Sequence, residues 1–402
     1  MSRQAEVAAP VAAAVVVLTA VLGGGFFPLP RMVVGCALIA VWLVGALGAR
    51  GPLDRTEWLF AGLLTWGLLS AIWVGSSPLA AKETLTIWVT AFALFGISRR
   101  GSAASRRRAV EVLTVGAAII AAGIVTEALR AGLRVGGFLE NPNVAAGILV
   151  PTLPVGWKIF ERRPRLRWIW VSLVAAGVVC TGSRAGLLAA VVAVGFLLPR
   201  GRFRLAGLLT ASAMAAVVLI WRFISQPDVL AWHRISIWWA VLKIWLTRPL
   251  TGVGPGSLVE AASAERILHP DEIGRYQFVI GYSESTPLAV LVQIGLVGLI
   301  LACLAGACWW TTSHRSGARS TPVMASLVAL GVLALFHDFL TIDPVLWWWA
   351  VLLGCTGPAS FEPAENRSTG RSRATRWSVA LVMVWITSWG MISPANARWV
   401  WQ

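Results

Sequence analysis

The sequence predicts an all-α membrane protein, a polytopic transmembrane helical bundle of about 12–13 spans with one long outer loop. Three observations predict it. Of the 402 residues, 57% are hydrophobic and 13% charged, and the mean hydropathy is +0.74, outside the balance of a soluble domain. The apolar residues form long uninterrupted runs near the roughly 20 residues that a helix needs to cross the hydrocarbon core. Such runs contradict an outer-membrane barrel, which shows alternating segments of about 10 residues. The runs of basic residues, finally, fall in alternate gaps between the apolar runs. Because a backbone group left unpaired in lipid costs several kcal/mol, the runs must be helical.

Taken in order, the spans are expected at 8–28, 32–49, 57–74, 82–98, 109–129, 143–160, 168–181, 184–199, 205–224, 286–310, 321–340, 345–357 and 377–393. The first follows Arg3, shows no small-x-small cleavage site and runs into Pro28 and Pro30, so it is expected to remain as a helix. The chain is expected to form a single integral membrane domain over 1–402, and the long stretch 225–285 lies outside the bilayer as a periplasmic loop.

Lysine and arginine are retained on the cytoplasmic side in short loops. Arg99 with Arg100 and Arg106 to Arg108, Arg162 to Arg167, Arg200 to Arg204, Arg315 with Arg319, and Arg367 to Arg376 all fall in alternate loops. Counting spans brings them to one face and puts the N-terminus in the cytoplasm. The net charge of +16 is therefore mainly a topology signal. No nucleic-acid-binding motif accompanies it, and no nucleic acid is expected as partner.

Cys36, Cys180, Cys303, Cys308 and Cys355 lie in apolar stretches without CxxC spacing, which indicates neither a disulfide framework nor a zinc site. His233, His269, His314 and His337 are not at metal-ligand spacing, so neither metal nor cofactor is expected. The tryptophans, among them Trp168, Trp170 and the run Trp347 to Trp349, cluster near span ends and read as headgroup anchors.

Within the outer loop, residues 231–247 read as an amphipathic helix lying in the membrane interface. Trp232, Ile235, Trp238, Trp239, Leu242, Trp245 and Leu246 share one face, and His233, Ser236, Lys243 and Thr247 oppose it. Pro249 ends this helix and Thr251 to Ser257 form a Gly-rich turn. That turn has no following Walker lysine and lies away from cytoplasmic nucleotide, which rules out an ATP site.

Four polar groups fall on the outer side. Asn141 and Asn143, in Gly136 to Asn143, either cap the sixth span or contact a ligand. Arg184, in Thr181 to Gly186, opens the eighth span and either snorkels or works inside the bundle. Arg234 sits four residues before Trp238, as an interface anchor or an anion contact. Glu284, in Ser283 to Pro287, either caps the tenth span or acts chemically. Two guanidiniums and a carboxylate at one membrane level suit a reaction in which pyrophosphate leaves. Arginine grips phosphate oxygens in a bidentate fork, and a carboxylate can accept a hydroxyl proton.

The order GFLENPN, TGSRAG, RISIWW with RPLTGVGPGS, and SESTPLAVLVQIGLVGL, over residues 134–300, resembles the O-antigen ligase and O-antigen polymerase superfamily of bacterial membrane glycosyltransferases. The resemblance implies glycan transfer from an undecaprenyl-pyrophosphate donor to a hydroxyl acceptor on the outer face of the inner membrane, without metal or nucleotide. Its partners are then the lipid-linked glycan, a glycan or lipid acceptor and membrane lipids. By position, Arg184 and Arg234 match arginines tied to donor pyrophosphate, and Asn141 and Asn143 join them as donor-binding candidates. The family's His-Asn pair aligns with Glu284-Ser285, a departure that leaves Glu284 as the candidate base. Two nearby guanidiniums should lower its pKa, keeping it ionised but weakening it as a base. Asp338 and Asp343 flank the eleventh span, as sugar contacts or as solvated helix ends. A transporter or flippase of lipid-linked oligosaccharide is the alternative, although the sequence has no duplicated half and no pair of broken helices at matching positions.

Overall fold

The computed structural model of the chain describes residues 3–22, 53–197, 233–264, 281–315 and 321–356. It also describes short pieces at 34–35, 38–39, 267–268 and 277–278 and scattered helical positions between 205 and 224. Its helices are α1 (Arg3–Val21), α2 (Arg55–Val74), α3 (Pro78–Arg100), α4 (Ala103–Ala131), α5 (Pro142–Ile159), α6 (Pro164–Thr181), α7 (Arg184–Leu197), α8 (His233–Thr247), α9 (Leu258–Ala261), α10 (Thr286–Arg315), α11 (Thr321–Phe336) and α12 (Asp343–Thr356). Each expected span that falls on described residues has its helix. The spans 32–49 and 205–224 are described at isolated positions, all helical, and 377–393 lies outside the described residues. The helices α2, α3, α4 and α10 are long and apolar enough to cross a membrane, and α1, α7 and α11 contain shorter apolar helices. Between the described parts of the outer loop, Ile267–Leu268 pairs antiparallel with Gln277–Phe278. The architecture is the expected helical membrane bundle.

Sequence signals at the helix ends explain the boundaries. Proline opens α3, α5 and α6, where its missing N–H costs nothing and its fixed φ suits the first turn. Asp54 and Glu57 form a capping box at the start of α2. Gly75 and Gly182 close α2 and α6 in the left-handed region, at φ 69° and 58°.

Helix α3 runs through the middle of the bundle, with nearly all of its residues from Thr84 to Arg99 buried, and packs along α12; α1 lies on α4, α7 on α11, and α2 on α10. The tryptophans of α12 do not anchor the headgroup layer as expected. Trp347 and Trp348 are fully buried and Trp349 nearly so. Each indole N–H finds an acceptor: Ile87 O at 3.1 Å, Thr152 Oγ1 at 2.9 Å and Gly147 O at 2.7 Å. Trp170 likewise donates to Thr114 O at 2.9 Å inside the core, whereas Trp168 is exposed. Proximity to a span end misled the reading, because a tryptophan can enter a core wherever its one donor is satisfied.

At one end of α2 and α3, two charges from each helix interlock. Arg99 is 1% exposed and lies 2.7 Å from Asp54, and Arg100 lies 2.8 Å from Glu57. A charge this deep is tolerated only when paired. Asp54→Asn is expected to destabilise the fold by about 1–2 kcal/mol, because it weakens a charge-assisted bond while keeping a capping oxygen. Thermal unfolding in detergent measures it.

Helix α10 is not continuous. Gly295, at φ 69°, interrupts it, and the Gly-rich turn of the outer loop fills the gap. Val253 and Gly254 N–H donate to Val292 O and Gln293 O at 2.8 Å each, and Leu296 N–H donates to Pro249 O at 2.9 Å. The Gln293 side chain accepts from Gly256 N–H at 3.0 Å, and Trp66 donates to Ile294 O at 2.8 Å. Backbone groups freed at the break are thus paired again, as an apolar surrounding demands. Gly252, Gly254 and Gly256 have φ of 69°, 94° and 75°, which is why the turn needs glycine.

Helix α8 forms where expected, but its buried face differs. Ile237, Ala240, Val241 and Ile244 are buried and pack with Val253, Leu258 and Val292. Ile235, Trp239 and Leu246, assigned to the apolar face, are each more than 60% exposed. The helix is apolar on two sides, so hydrophobicity alone could not tell which side meets protein. The exposed side suits the membrane interface.

Candidate functional site

Two connecting segments create the site. One is Ser283 to Ser285, ahead of α10; the other is His337 to Ile342, after α11, which ends at Phe336. They are stitched together by short polar side chains. Thr286 Oγ1 donates to His337 O at 2.7 Å and accepts from Phe339 N–H at 3.2 Å. Ser283 Oγ lies 2.7 Å from Ser285 O and 3.2 Å from Asp338 Oδ2, and Leu340 N–H donates to Asp338 Oδ1 at 3.1 Å. Asp338 is therefore a buried clamp rather than a sugar contact, and Asp343, 4% exposed at the start of α12, is likewise a helix-end residue.

Clamped in this way, Glu284 takes φ 54°, a conformation that a non-glycine residue holds only where its surroundings fix it. Of the two roles open to it in the sequence, cap or chemical group, its contacts favour the second, since its carboxylate meets side chains from outside α10. Oε2 lies 3.3 Å from Arg234 Nη2 and 3.8 Å from His337 Nδ1. Arg234 comes from the first turn of α8. Arg184 is the first residue of α7, following a hairpin in which Ser183 Oγ accepts from Gly186 N–H at 3.2 Å. It is exposed, and its charge acts on His337. The three residues singled out in the sequence, Arg184, Arg234 and Glu284, are thus linked by direct contact or by electrostatic reach around His337.

Asn141 behaves as a cap: its Oδ1 accepts from Asn143 N–H at 2.9 Å and from Val144 N–H at 3.5 Å. It also lines a cavity of about 320 Å³, with Arg134, Glu140, Asn143, Thr181 and Gly182, beside the hairpin that ends in Arg184. Arg134 and Glu140, at φ 75° and 55°, are with Glu284 the non-glycine residues of positive φ among the described residues. All three lie on the loops that carry these polar groups.

Burial sets the charges. Burial raises the Glu284 carboxyl, but the His337 contact and Arg234 together more than offset it and hold it below the usual range. His337 is 5% exposed. Burial lowers its pKa, the Glu284 contact raises it, and Arg234 and Arg184 lower it further, so the ring is neutral at pH 7. Asp338 is pushed up to about 6, chiefly by burial and against the bonds from Leu340 and Ser283. Sequence reasoning passed over His337 because it was tested only as a metal ligand. The available signal was its place in a His-Asp pair interrupting an apolar run, where polar residues at membrane depth tend to be functional.

A polytopic helical membrane protein with a charged cluster, assembled from the starts of α7 and α8, the loop before α10 and the loop after α11, is the class that the fold and site define. Residues 146–303 match the family model described as O-antigen ligase. Over that segment the resemblance read from the motifs to the O-antigen ligase and polymerase superfamily holds. Arg184, Arg234 and Glu284 fall inside the matched segment, whereas Asn141, Asn143, His337 and Asp338 lie outside it. No curated protein matches the chain.

Proposed function

We propose that the protein is a membrane glycosyltransferase of the O-antigen ligase or polymerase type, acting at the outer face of the bacterial inner membrane. The contact between Arg234 and Glu284, with Arg184 within electrostatic reach and all three inside the matched segment, is the observation that carries this reading. Two guanidiniums offer several N–H donors to an anion, and the partly exposed Glu284 and Arg234, at 32% and 24%, are open to an incoming molecule.

In the proposed reaction the arginines bind the two phosphates of an undecaprenyl-pyrophosphate-linked glycan. The acceptor oxygen forms a bond to the anomeric carbon, the bond from that carbon to phosphate oxygen breaks, and its electron pair leaves with undecaprenyl pyrophosphate. Charge then gathers on phosphate oxygens already facing the guanidiniums, which lowers the barrier without rearrangement of the site. The cavity beside Asn141 and Asn143 supports sugar binding near the same hairpin, since amides, a carboxylate and a guanidinium match hydroxyl groups.

The break in α10 bears on the transporter alternative, since transporters bind cargo at broken helices. Here the freed backbone groups are taken up by the Pro249 to Gly256 turn, which leaves little there for a cargo to bind. The test is purified protein given lipid-linked glycan and a hydroxyl acceptor, with released undecaprenyl pyrophosphate followed by mass spectrometry. Release matched by glycosylated acceptor is expected, and Arg184→Ala is expected to weaken donor binding at least about tenfold. Lipid-linked glycan that crosses a vesicle membrane without any pyrophosphate release would establish the transporter instead. Deletion followed by gel analysis separates the two enzyme types: loss of long chains with single units still attached marks a polymerase, and unattached long chains mark a ligase.

A further inference from the structure

We infer that His337 is the general base of the transfer reaction and that Glu284 orients it, the pair being assembled from the loops before α10 and after α11. This rests on the glycosyltransferase reading above. It replaces Glu284, the sequence's candidate base, with a residue outside the matched segment.

Three observations lead here. First, Glu284 is badly placed to take a proton. Its Oε2 faces Arg234 at 3.3 Å and His337 at 3.8 Å, and a carboxylate stabilised by cationic and N–H partners is a weak base. Second, the two nitrogens of His337 differ. Nδ1 faces the carboxylate, which only accepts, so the proton of the neutral ring belongs on Nδ1. Nε2, now an acceptor, is buried and has no hydrogen-bond partner among the described residues. A buried acceptor left unpaired is unfavourable, a cost that an incoming hydroxyl removes. Third, the residue is held at both backbone and ring: Thr286 Oγ1 fixes the His337 carbonyl at 2.7 Å, and Phe339 packs on the ring with centroids 5.5 Å apart. The arrangement is that of a base aimed by a carboxylate. The 3.8 Å separation is long for a hydrogen bond, as such pairs are before a substrate tightens them.

Proton balance is straightforward. As the acceptor oxygen attacks the anomeric carbon, its proton passes to Nε2 of His337. The resulting imidazolium is stabilised by Glu284, and it releases the proton to water once the product leaves. Arg234 and Glu284 are partly exposed, at 24% and 32%, whereas Nε2 is buried. A base screened from solvent disfavours attack by water.

The charged groups that bear on His337 are Glu284, Arg234 and Arg184, and with the titratable Asp338, next in the chain, they give the test its controls. In the purified, full-length protein, His337→Gln is expected to lower transfer about 10²–10⁴-fold while donor binding persists. Added imidazole is expected to restore part of the activity of His337→Ala. The wild-type rate should rise with pH through the His337 pKa and then level. Glu284 raises that pKa, so in Glu284→Gln, whose amide oxygen still accepts from Nδ1, the rise should shift to lower pH with a smaller loss of rate. In Asp338→Asn the rise should remain. A His337→Gln enzyme within tenfold of wild type, or a pH rise that vanishes in Asp338→Asn but persists in His337→Gln, overturns the inference while leaving the glycosyltransferase intact. Absence of pyrophosphate release from wild type overturns both.

Discussion

Arg234→Ala is expected to reduce glycan transfer by about 10²–10³-fold, the loss typical when one donor aimed at developing negative charge is removed. Two effects add. The substitution removes a guanidinium from the leaving pyrophosphate, and it strips Glu284 of its nearest cation, 3.3 Å away. Arg234→Lys should recover only part of the rate, because an ammonium is a point charge and cannot hold phosphate oxygens in a fork. A second readout separates this from misfolding. Arg234 lowers the pKa of His337, so without it the histidine holds its proton to higher pH. The acid side of the residual activity should therefore move up in Arg234→Ala, opposite to the shift expected for Glu284→Gln. Rates of undecaprenyl pyrophosphate release across pH measure both; an unmoved profile would mean that Arg234 does not face the titrating group.

Gly295→Ala is expected to be the most damaging conservative change in the bundle. A Cβ there would meet the Leu250 carbonyl oxygen at 2.1 Å, and the backbone has φ 69°. Backbone strain of about 1–3 kcal/mol then adds to about 1–3 kcal/mol for forcing atoms into a filled space. The obstacle is main chain rather than a side-chain tip, so it cannot swing aside. Gly62, Gly306 and Gly331 provide the contrast: they sit inside helices with nothing within 4 Å of an added Cβ. Alanine at any of these three should be neutral or stabilising by up to about 1 kcal/mol. Melting temperatures in detergent, compared across the four variants, test the difference; equal values would show that the turn does not lock the broken helix.

Much of the helix order was legible because lipid imposes a coarse rule. Long apolar runs must be helices, and Pro78, Pro142 and Pro164 mark their starts. The burial of Trp347 to Trp349 was not legible, since satisfaction of an indole N–H depends on Ile87, Thr152 and Gly147, carried by other helices. Helix α8 shows a related failure: with apolar residues on two sides, its sequence did not reveal that Ile237, Val241 and Ile244 face the protein. Arg184, Arg234 and Glu284 could be picked out from motif order. His337 could not be joined to them, because it enters through tertiary structure, 53 residues after its carboxylate partner, by way of the bonds between Thr286 and the His337 to Phe339 segment.

The seating of the Pro249 to Gly256 turn inside α10 has a consequence for how such proteins diversify. Ser257 and Ser283 are two fixed moorings, one beside the turn embedded in the helix break and the other bonded to the loop after α11. Lengthening the chain beyond Ala264, past the packed Leu258 and Ala262, leaves both moorings in place and costs about 0.6 kcal/mol of loop entropy per doubling. Substrate preference can then drift by exchange of cassettes, while the reacting groups, tied down on either side, keep their registration.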